Sequence, residues 1–153
     1  MFAAAIIKRR LARCTHAAGL ALLCSGATAT AASAASLSVR VPSHSVRQHH
    51  AFQIKLSGSY RAAELQGKAY LVAAFQYDTT PCKATGAAEA GRTDASFFFS
   101  KVVSPSPFVR RFAFTAGRPG PRRVCAYLYP RVVSPMDTTG PIARASGLFR
   151  VIR

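Results

Sequence analysis

The sequence predicts an all-β domain in which two antiparallel sheets pack face to face, preceded by an export signal. After residue 36, apolar side chains recur at every second position, and a helical period is hard to find. Clusters of Gly, Pro and Ser separate the apolar runs. About seven short strands with such turns between them are typical of a two-sheet sandwich.

The predicted strands follow one another along the chain, and most end at a turn residue. Phe52–Leu56 alternates most cleanly, with every second side chain apolar. Ala69–Tyr77 is apolar on both faces, as expected for a central strand that is covered on two sides. Lys83–Arg92 is the one segment after the leader that is predicted as a short helix. The remaining predicted strands are residues 37–41, 97–103, 108–115, 123–129 and 148–152.

The amino end has the three parts of a secretory signal peptide. An uncharged stretch begins at Ala17, and the small residues that follow it include Ala32-Ser33-Ala34, an A-x-A-like cleavage site. We expect cleavage after Ala34 or Ala35, giving a signal peptide at 1–35 and a β-sandwich domain at 36–153. The positive region before the uncharged stretch consists of Lys8, Arg9, Arg10 and Arg13.

An uncleaved membrane anchor is the alternative to a signal peptide. Residues 17–39 are uncharged and long enough to cross a bilayer of about 30 Å as a helix. The second half of this stretch is mostly Ala, Ser and Thr, which contribute little insertion free energy compared with Leu. We therefore expect a secreted or cell-envelope protein with no membrane span after cleavage.

The cysteines predict one disulfide in the domain. Cys14 and Cys24 leave with the signal peptide, so only Cys82 and Cys125 remain in an oxidising compartment. Closing the loop between them stabilises the fold by about 4 kcal/mol in the chain-entropy model. Two free buried thiols are the alternative.

The alternation of the strand at 123–129 predicts where this bridge lies. Val124, Ala126 and Leu128 share one face, which we expect to face the core. Cys125 lies on the other face, so the disulfide is expected to hold the 78–94 loop against the outside of the sheet.

Positive charge is the other strong feature. The chain has 21 Lys and Arg against five Asp and Glu, a net charge of +16. The domain at 36–153 keeps 17 of these cations and all five acids, a net charge of +12. A domain this basic is attracted to anionic polymers, although compositional bias toward Arg together with solubility is the preferred explanation of the charge. The densest basic residues flank one turn, could converge on a shared edge, and form a possible anion-binding cluster: Arg110, Arg111, Arg118, Arg122 and Arg123. The alternative is a solvated group of strand-end side chains.

No pattern of residues indicates catalysis, a cofactor or a bound metal. The sequence has no G-x-S-x-G, G-x-x-x-x-G-K-[ST] or G-x-G-x-x-G run. His44, His49 and His50 lack the spacing of a zinc site. Specific nucleic-acid binding is not expected, because Phe112 and Phe114 are needed in the core and so cannot serve as base-stacking platforms. A hydrolase with an unrecognised site remains a minority alternative.

One region carries a family resemblance. The run 112–115, a Gly/Pro turn and then Val124–Leu128 resembles the E-turn-F region of bacterial secreted immunoglobulin-like domains. The resemblance implies an immunoglobulin-like β-sandwich and no particular activity.

The sequence thus predicts an exported, non-enzymatic, immunoglobulin-like binding or structural module stabilised by one disulfide. The alternative is a basic adhesive protein that binds anionic envelope polymers through the five arginines. The sequence does not identify a partner. The two candidate partners are an anionic cell-envelope polymer and another envelope protein.

Overall fold

The computed structural model describes residues 35–61, 65, 67–133 and 139–153. Residues 1–34, which hold the A-x-A-like sequence and all but the last residue of the predicted signal peptide, lie outside these residues. Within them, no helix combines the length and the apolar character needed to span a membrane. The elements in chain order are β1 (Ser36–Arg40), β2 (Val46–Arg47), β3 (Ala51–Ser59), β4 (Ala69–Gln76), α1 (Gly86–Ala90), β5 (Ala95–Val103), β6 (Phe108–Thr115), β7 (Gly120–Tyr129) and β8 (Ala143–Ile152).

The strands form two sheets, which confirms the predicted all-β sandwich. One sheet has the order β1-β3-β6, and the other has the order β2-β8-β7-β4-β5. All neighbouring strands are antiparallel except β2 and β8, which run parallel. A sheet made of the first, second and fifth long strands, facing one made of the others, is the immunoglobulin-like arrangement. In that scheme β6 and β7 are strands E and F.

The observed strands differ from the predicted ones at several bounds, and three differences matter most for the core and the end of the sandwich. β2 was not predicted, because two residues are too few to show alternation. β7 begins at Gly120 and not at residue 123, and β8 begins at Ala143 and not at residue 148. Gly147 interrupts the apolar pattern of β8, yet the strand needs it, since a Cβ there would lie 2.8 Å from a methyl carbon of Val41.

The core lies between the two sheets and is built from the inward face of each strand. On β7 this face carries Val124, Ala126 and Leu128, which confirms the prediction made from alternation. β4 is buried on both faces, with Leu71 in the inter-sheet core and Val72 on the outer side of the sheet. The double burial explains why β4 reads as a continuous apolar run.

A bulge on β5 brings an extra ring into the core. Ala73 is paired with Phe99 and Ala74 with Phe97, so Phe98 has no direct partner across the ladder. The ring of Phe98 packs against that of Phe75 on β4, with 4.7 Å between the centroids. The bulge therefore lets two consecutive phenylalanines pack toward the other sheet, which strict alternation forbids.

Tyr60 closes one end of the sandwich. Its hydroxyl lies 2.8 Å from the carbonyl oxygen of Val103 and 3.0 Å from that of Gly67. Its backbone N–H donates to the Ser106 hydroxyl, at 2.9 Å. Burial raises the pKa of Tyr60 above that of a free tyrosine. The space between the sheets is thus sealed at this end by a hydrogen-bonded side chain, and the cavity of interest lies at the other.

Candidate functional site

A cleft of about 750 Å³, called the end cleft below, opens at the end of the sandwich opposite Tyr60. The starts of β3 and β7 and the ends of β4, β6 and β8 meet there. This volume lies within the range of small-molecule sites. The cleft is lined by Phe52, Phe75, Tyr77, Phe114, Thr115, Ala116, Gly117, Arg118, Pro119, Arg122, Phe149 and Val151.

Four phenylalanine rings, contributed by both sheets, form the floor of the end cleft. Phe52 and Phe114 stack with 5.6 Å between centroids, and Phe75 meets Phe114 edge-on at 5.0 Å. Phe149 completes the group at 5.2 Å from Phe52. Phe52, Phe75 and Phe114 are only partly buried, so they offer aromatic surface to a ligand.

Arg122 brings a positive charge into this apolar cleft. It occupies the inward face of β7, two residues before Val124, and only 9% of its surface is exposed. Nη1 donates to the carbonyl oxygen of Pro121 at 2.7 Å, and Nη2 donates to that of Arg118 at 2.5 Å. The guanidinium carbon lies 4.8 Å from the ring centroid of Tyr77, a cation–π contact. These contacts hold the guanidinium in one position.

Gly120 makes room for that side chain. Its φ of +132° is a conformation that L side chains rarely adopt, and a Cβ there would lie 3.2 Å from Nη1 of Arg122. The first residue of β7 therefore has to be glycine for the guanidinium to lie where it does.

The connection between β6 and β7 forms the rim of the end cleft and is fixed to the β2–β3 turn. The backbone N–H of His49 donates to the carbonyl oxygen of Ala116 at 2.7 Å, and the N–H of Ala116 donates to that of His50 at 2.9 Å. His49 has a φ of +65°, in the left-handed region, which the turn requires. Two backbone hydrogen bonds to the neighbouring turn thus fix the position of the rim.

No carboxylate within the described residues is close enough to Arg122 to form an ion pair. The three acidic side chains described, Asp78, Glu89 and Asp94, all pair with Arg92. The buried guanidinium of Arg122 is thus bonded to neutral carbonyl groups alone, and its charge is uncompensated in this part of the chain. A buried charge without a partner is costly, so an anionic ligand would gain from pairing with it.

The end cleft is rich in binding groups, and among its described lining residues Tyr77 alone carries a titratable hydroxyl. Its described lining contains no His, Cys, Asp, Glu or Lys, and its polar side chains are two arginines, a tyrosine and a threonine. Nor do the described residues place three His, Cys, Asp or Glu side chains together where they could share a metal ion. A guanidinium orients and neutralises an anion but does not abstract a proton at neutral pH.

The 78–94 segment, called the tethered loop below, leaves the cleft directly after Tyr77 and covers the outer face of the second sheet. The structure joins Cys82 to Cys125 by a disulfide with 5.7 Å between the Cα atoms. Cys125 lies on the outer face of β7, packed with Val72 and Tyr127, so the bridge attaches the loop from outside as predicted.

A buried carboxylate supplies the second attachment of the tethered loop. Glu89 is fully buried and accepts hydrogen bonds from Nε2 of Gln76 at 2.6 Å, the hydroxyl of Tyr127 at 2.9 Å and the backbone N–H of Lys83 at 2.9 Å. Burial is the main reason that the pKa of Tyr127 is raised, and its hydrogen bond to Glu89 adds to the effect. The network joins the loop to β4 and β7 through side chains that are inaccessible to water.

Arg92 gathers the acidic groups at the exposed side of the same loop. It bonds to both Asp94 and Asp78, and the hydrogen bond to Asp94 is the main reason that its pKa is raised. The hydroxyl of Thr80 donates to Asp78 at 2.6 Å, and this bond is the largest effect that lowers the pKa of Asp78. The fold thus assembles three carboxylates from different positions of the loop around one guanidinium.

The structure brings together only two of the five arginines of the possible anion-binding cluster. Arg118 and Arg122 meet at the end cleft. Arg123 faces the outer side of β7, where Nη2 donates to the carbonyl oxygen of Thr79 at 2.8 Å. Arg110 and Arg111 lie on β6 in the other sheet, four or more residues before its end at the cleft. Alternation within a strand separates adjacent arginines onto opposite faces, so the five do not form one surface.

Sequence reasoning missed the end cleft, although one signal for it was present. With β7 predicted to begin at residue 123, the inward series started at Val124. Extending this alternation by two residues toward the amino end would have predicted, from sequence alone, that Arg122 also faces inward. The aromatic floor had no such signal, because Phe52, Phe114 and Phe149 come together only through the pairing of distant strands.

The residues and geometry above define a two-sheet β-sandwich with an aromatic, arginine-bearing cleft at one end. No family model matches the chain, and no curated protein sequence matches it. Among solved structures, it is similar to the CARDB domain of a Pyrococcus furiosus protein, solved in complex with di-metal ions, at 13% identity and a TM-score of 0.48 over 76% of this chain and 91% of that one.

A superoxide reductase (neelaredoxin) from Ignicoccus hospitalis is also similar, at 13% identity and a TM-score of 0.45 over 76% of this chain and 80% of that one. The alkylpurine DNA glycosylase AlkC of Pseudomonas fluorescens matches at 10% identity and a TM-score of 0.44, over 77% of this chain and 30% of that one. Likenesses of this degree assign no activity to this chain.

Proposed function

We propose that this protein is an exported, non-enzymatic binding module that takes a small organic anion into the end cleft. The observation that carries the proposal is the guanidinium of Arg122, nine-tenths buried in an aromatic cleft and without a carboxylate partner among the described residues. Export is supported by the signal-peptide pattern and by the disulfide, a bond that persists in oxidising compartments.

Thermal unfolding in the presence of small organic anions tests the binding role. A ligand that binds the folded state raises the midpoint in proportion to its occupancy. With a panel of carboxylates, sulfonates and phosphates at millimolar concentration, we expect at least one class to raise the midpoint of the wild type and not that of R122Q. A panel in which no anion gives a shift that depends on Arg122 would overturn the binding proposal.

Export is tested separately, by expressing the full chain in a bacterial host and measuring the intact mass of the recovered protein. We expect a chain that begins at residue 35 or 36, outside the cytoplasm. An intact chain starting at Met1 in the membrane fraction would overturn export with cleavage and favour anchoring by residues 17–39.

Adhesion to anionic polymers is the second candidate function. It is favoured by the charge of the predicted domain at 36–153, which keeps 17 Lys and Arg against five Asp and Glu for a net charge of +12. It is also favoured by Arg111, whose side chain is exposed on the outer face of β6. Retention on a heparin column under a salt gradient separates the two functions. A lower elution salt for the double variant R110S/R111S than for R122Q supports adhesion, whereas equal elution of the double variant and the wild type removes it.

A further inference from the structure

Resting on the proposed function, we infer that the end cleft binds a monocarboxylate with a flat aromatic body. The carboxylate lies on the guanidinium of Arg122, and the aromatic body lies against the rings of Phe52, Phe75 and Phe114. Three properties of the cleft carry this inference: the donors that Arg122 has left, the amount of positive charge, and the shape of the floor.

The donors of Arg122 suit a carboxylate. A guanidinium has five N–H groups in a planar fork. The hydrogen bonds of Arg122 within the described chain occupy one N–H on each terminal nitrogen, toward the carbonyl oxygens of Pro121 and Arg118. The other N–H groups lie in the plane of the guanidinium. The two oxygens of a carboxylate accept hydrogen bonds from two such N–H groups at once, which is a bidentate pair. Because the carbonyl contacts fix the guanidinium, little side-chain entropy is lost on binding.

The charge of the cleft suits an anion with one negative charge. Arg122 is the only buried cation in the described lining, and Arg118 is exposed at the rim. A phosphate monoester carries a charge of about −1.5 to −2 at neutral pH. Its second charge has no second buried cation to pair with in the described lining, because Arg118 is exposed at the rim, where water weakens the attraction between charges.

The floor suits a flat aromatic group better than a flexible chain. The rings of Phe52, Phe75 and Phe114 meet at stacked and edge-on angles with centroids 5.0 to 5.6 Å apart, and they are only partly buried. Tyr77, 52% exposed, adds a fifth ring that already stacks on Arg122. Aromatic pairs gain free energy beyond simple burial at such distances. A rigid ring also loses less conformational entropy on binding than an acyl chain of equal size.

Calorimetric titration of the purified protein with four probes tests the inference. The probes are 2-naphthoate, the uncharged 2-naphthamide, the flexible carboxylate dodecanoate and the dianion 2-naphthyl phosphate. We expect 2-naphthoate to bind at least about tenfold more tightly than 2-naphthamide, because only the first forms a charge-assisted pair. We also expect it to bind more tightly than the other two probes.

Two adjacent arginines provide a matched pair of variants. R122Q removes one positive charge from the inward face of β7. R123Q removes one positive charge from the outward face of the same strand. R122Q is expected to abolish the preference for 2-naphthoate over 2-naphthamide, and R123Q is expected to retain it. If R122Q does not fold, the ratio of the two affinities in the wild type decides, together with nuclear Overhauser contacts from 2-naphthoate to the rings of Phe52 and Phe114.

The outcomes separate this inference from the proposed function. Equal affinity for 2-naphthoate and 2-naphthamide, or no binding of 2-naphthoate, overturns the inference. Tighter binding of dodecanoate or 2-naphthyl phosphate that depends on Arg122 also overturns it, while the proposed binding of a small organic anion stands. The proposed function itself falls only if the whole anion panel fails to give a shift that depends on Arg122.

Discussion

Replacing Glu89 by alanine should destabilise the protein far more than replacing any surface acid. The carboxylate is fully buried and accepts three hydrogen bonds, from Gln76, Lys83 and Tyr127. The Tyr127 hydroxyl also lies 3.1 Å from the carbonyl oxygen of Lys83, so it keeps an acceptor in the variant. The donors on Gln76 and on the Lys83 backbone lose theirs. Each buried donor without a partner costs about 1–3 kcal/mol, so we expect a loss of about 2–6 kcal/mol.

Equilibrium unfolding in urea at pH 7, followed by far-ultraviolet circular dichroism, measures this loss. The matched control is D94N, because Asp94 is an acid of the same cluster with a side chain 39% exposed, and such pairs contribute about 0–1 kcal/mol. The loss of unfolding free energy in E89Q should fall between the losses in E89A and D94N. The glutamine amide keeps one acceptor oxygen, but its NH₂ group faces donors that had bonded to the carboxylate.

An unfolding free energy of E89A within about 1 kcal/mol of the wild type, the range of an exposed pair, would refute this reasoning. So would a loss no larger than that of D94N. Either result would mean that water reaches the carboxylate site, or that the tethered loop detaches from the sheet before the sandwich unfolds. A protease-sensitive tethered loop in the wild type would distinguish the second explanation from the first.

Three further predictions concern the bridge, alkaline pH and one close approach. The double variant C82A/C125A should lose up to about 4 kcal/mol while keeping its far-ultraviolet spectrum, and two reactive thiols in the denatured, unreduced wild type would contradict the bridge. Because the folded-state pKa of Tyr127 is raised above the ordinary value near 10, its contribution to stability is complete below pH 10 and is lost as the pH rises above it. Y127F should therefore lose less stability than the wild type above pH 10. If the unfolding free energies of the two proteins fall with pH at the same rate, the raised pKa of Tyr127 is not the cause. Gly58→Ala should cost about 1–3 kcal/mol, since its Cβ would lie 2.4 Å from a backbone oxygen of β1. Gly117→Ala, with open space around its Cβ, is the control that should change little, and equal losses would count against the explanation.

The alternation within single strands is what made much of the fold predictable. Phe52–Leu56 and Val124–Leu128 each show which side chains face inward, and this information is local to a few residues. The position of the disulfide followed from the same alternation, because Cys125 stands between two inward residues. β2 and the bulge at Phe98 were not predictable in this way, since they depend on how one strand meets another.

The end cleft and the Glu89 network needed three-dimensional information for a different reason. Glu89 meets Gln76 and Tyr127 only after the tethered loop folds back over the sheet, across sequence separations of 13 and 38 residues. Extending β7 to its true start would have predicted that Arg122 faces inward. It would not have predicted that no described carboxylate lies beside Arg122. That absence depends on Arg92 holding all three of the described acids elsewhere.

The gathering of carboxylates around Arg92 has a consequence for how copies of the protein behave in solution. With those negative charges collected on one loop, exposed cations such as Arg111 and Arg118 face solvent without a nearby acid in the described structure. Two molecules that approach each other away from the tethered loop therefore repel, over a distance of about 10 Å at 0.1 M salt. Solubility should be highest in dilute buffer and fall as salt shortens that range, so concentrated stocks are best prepared at low ionic strength.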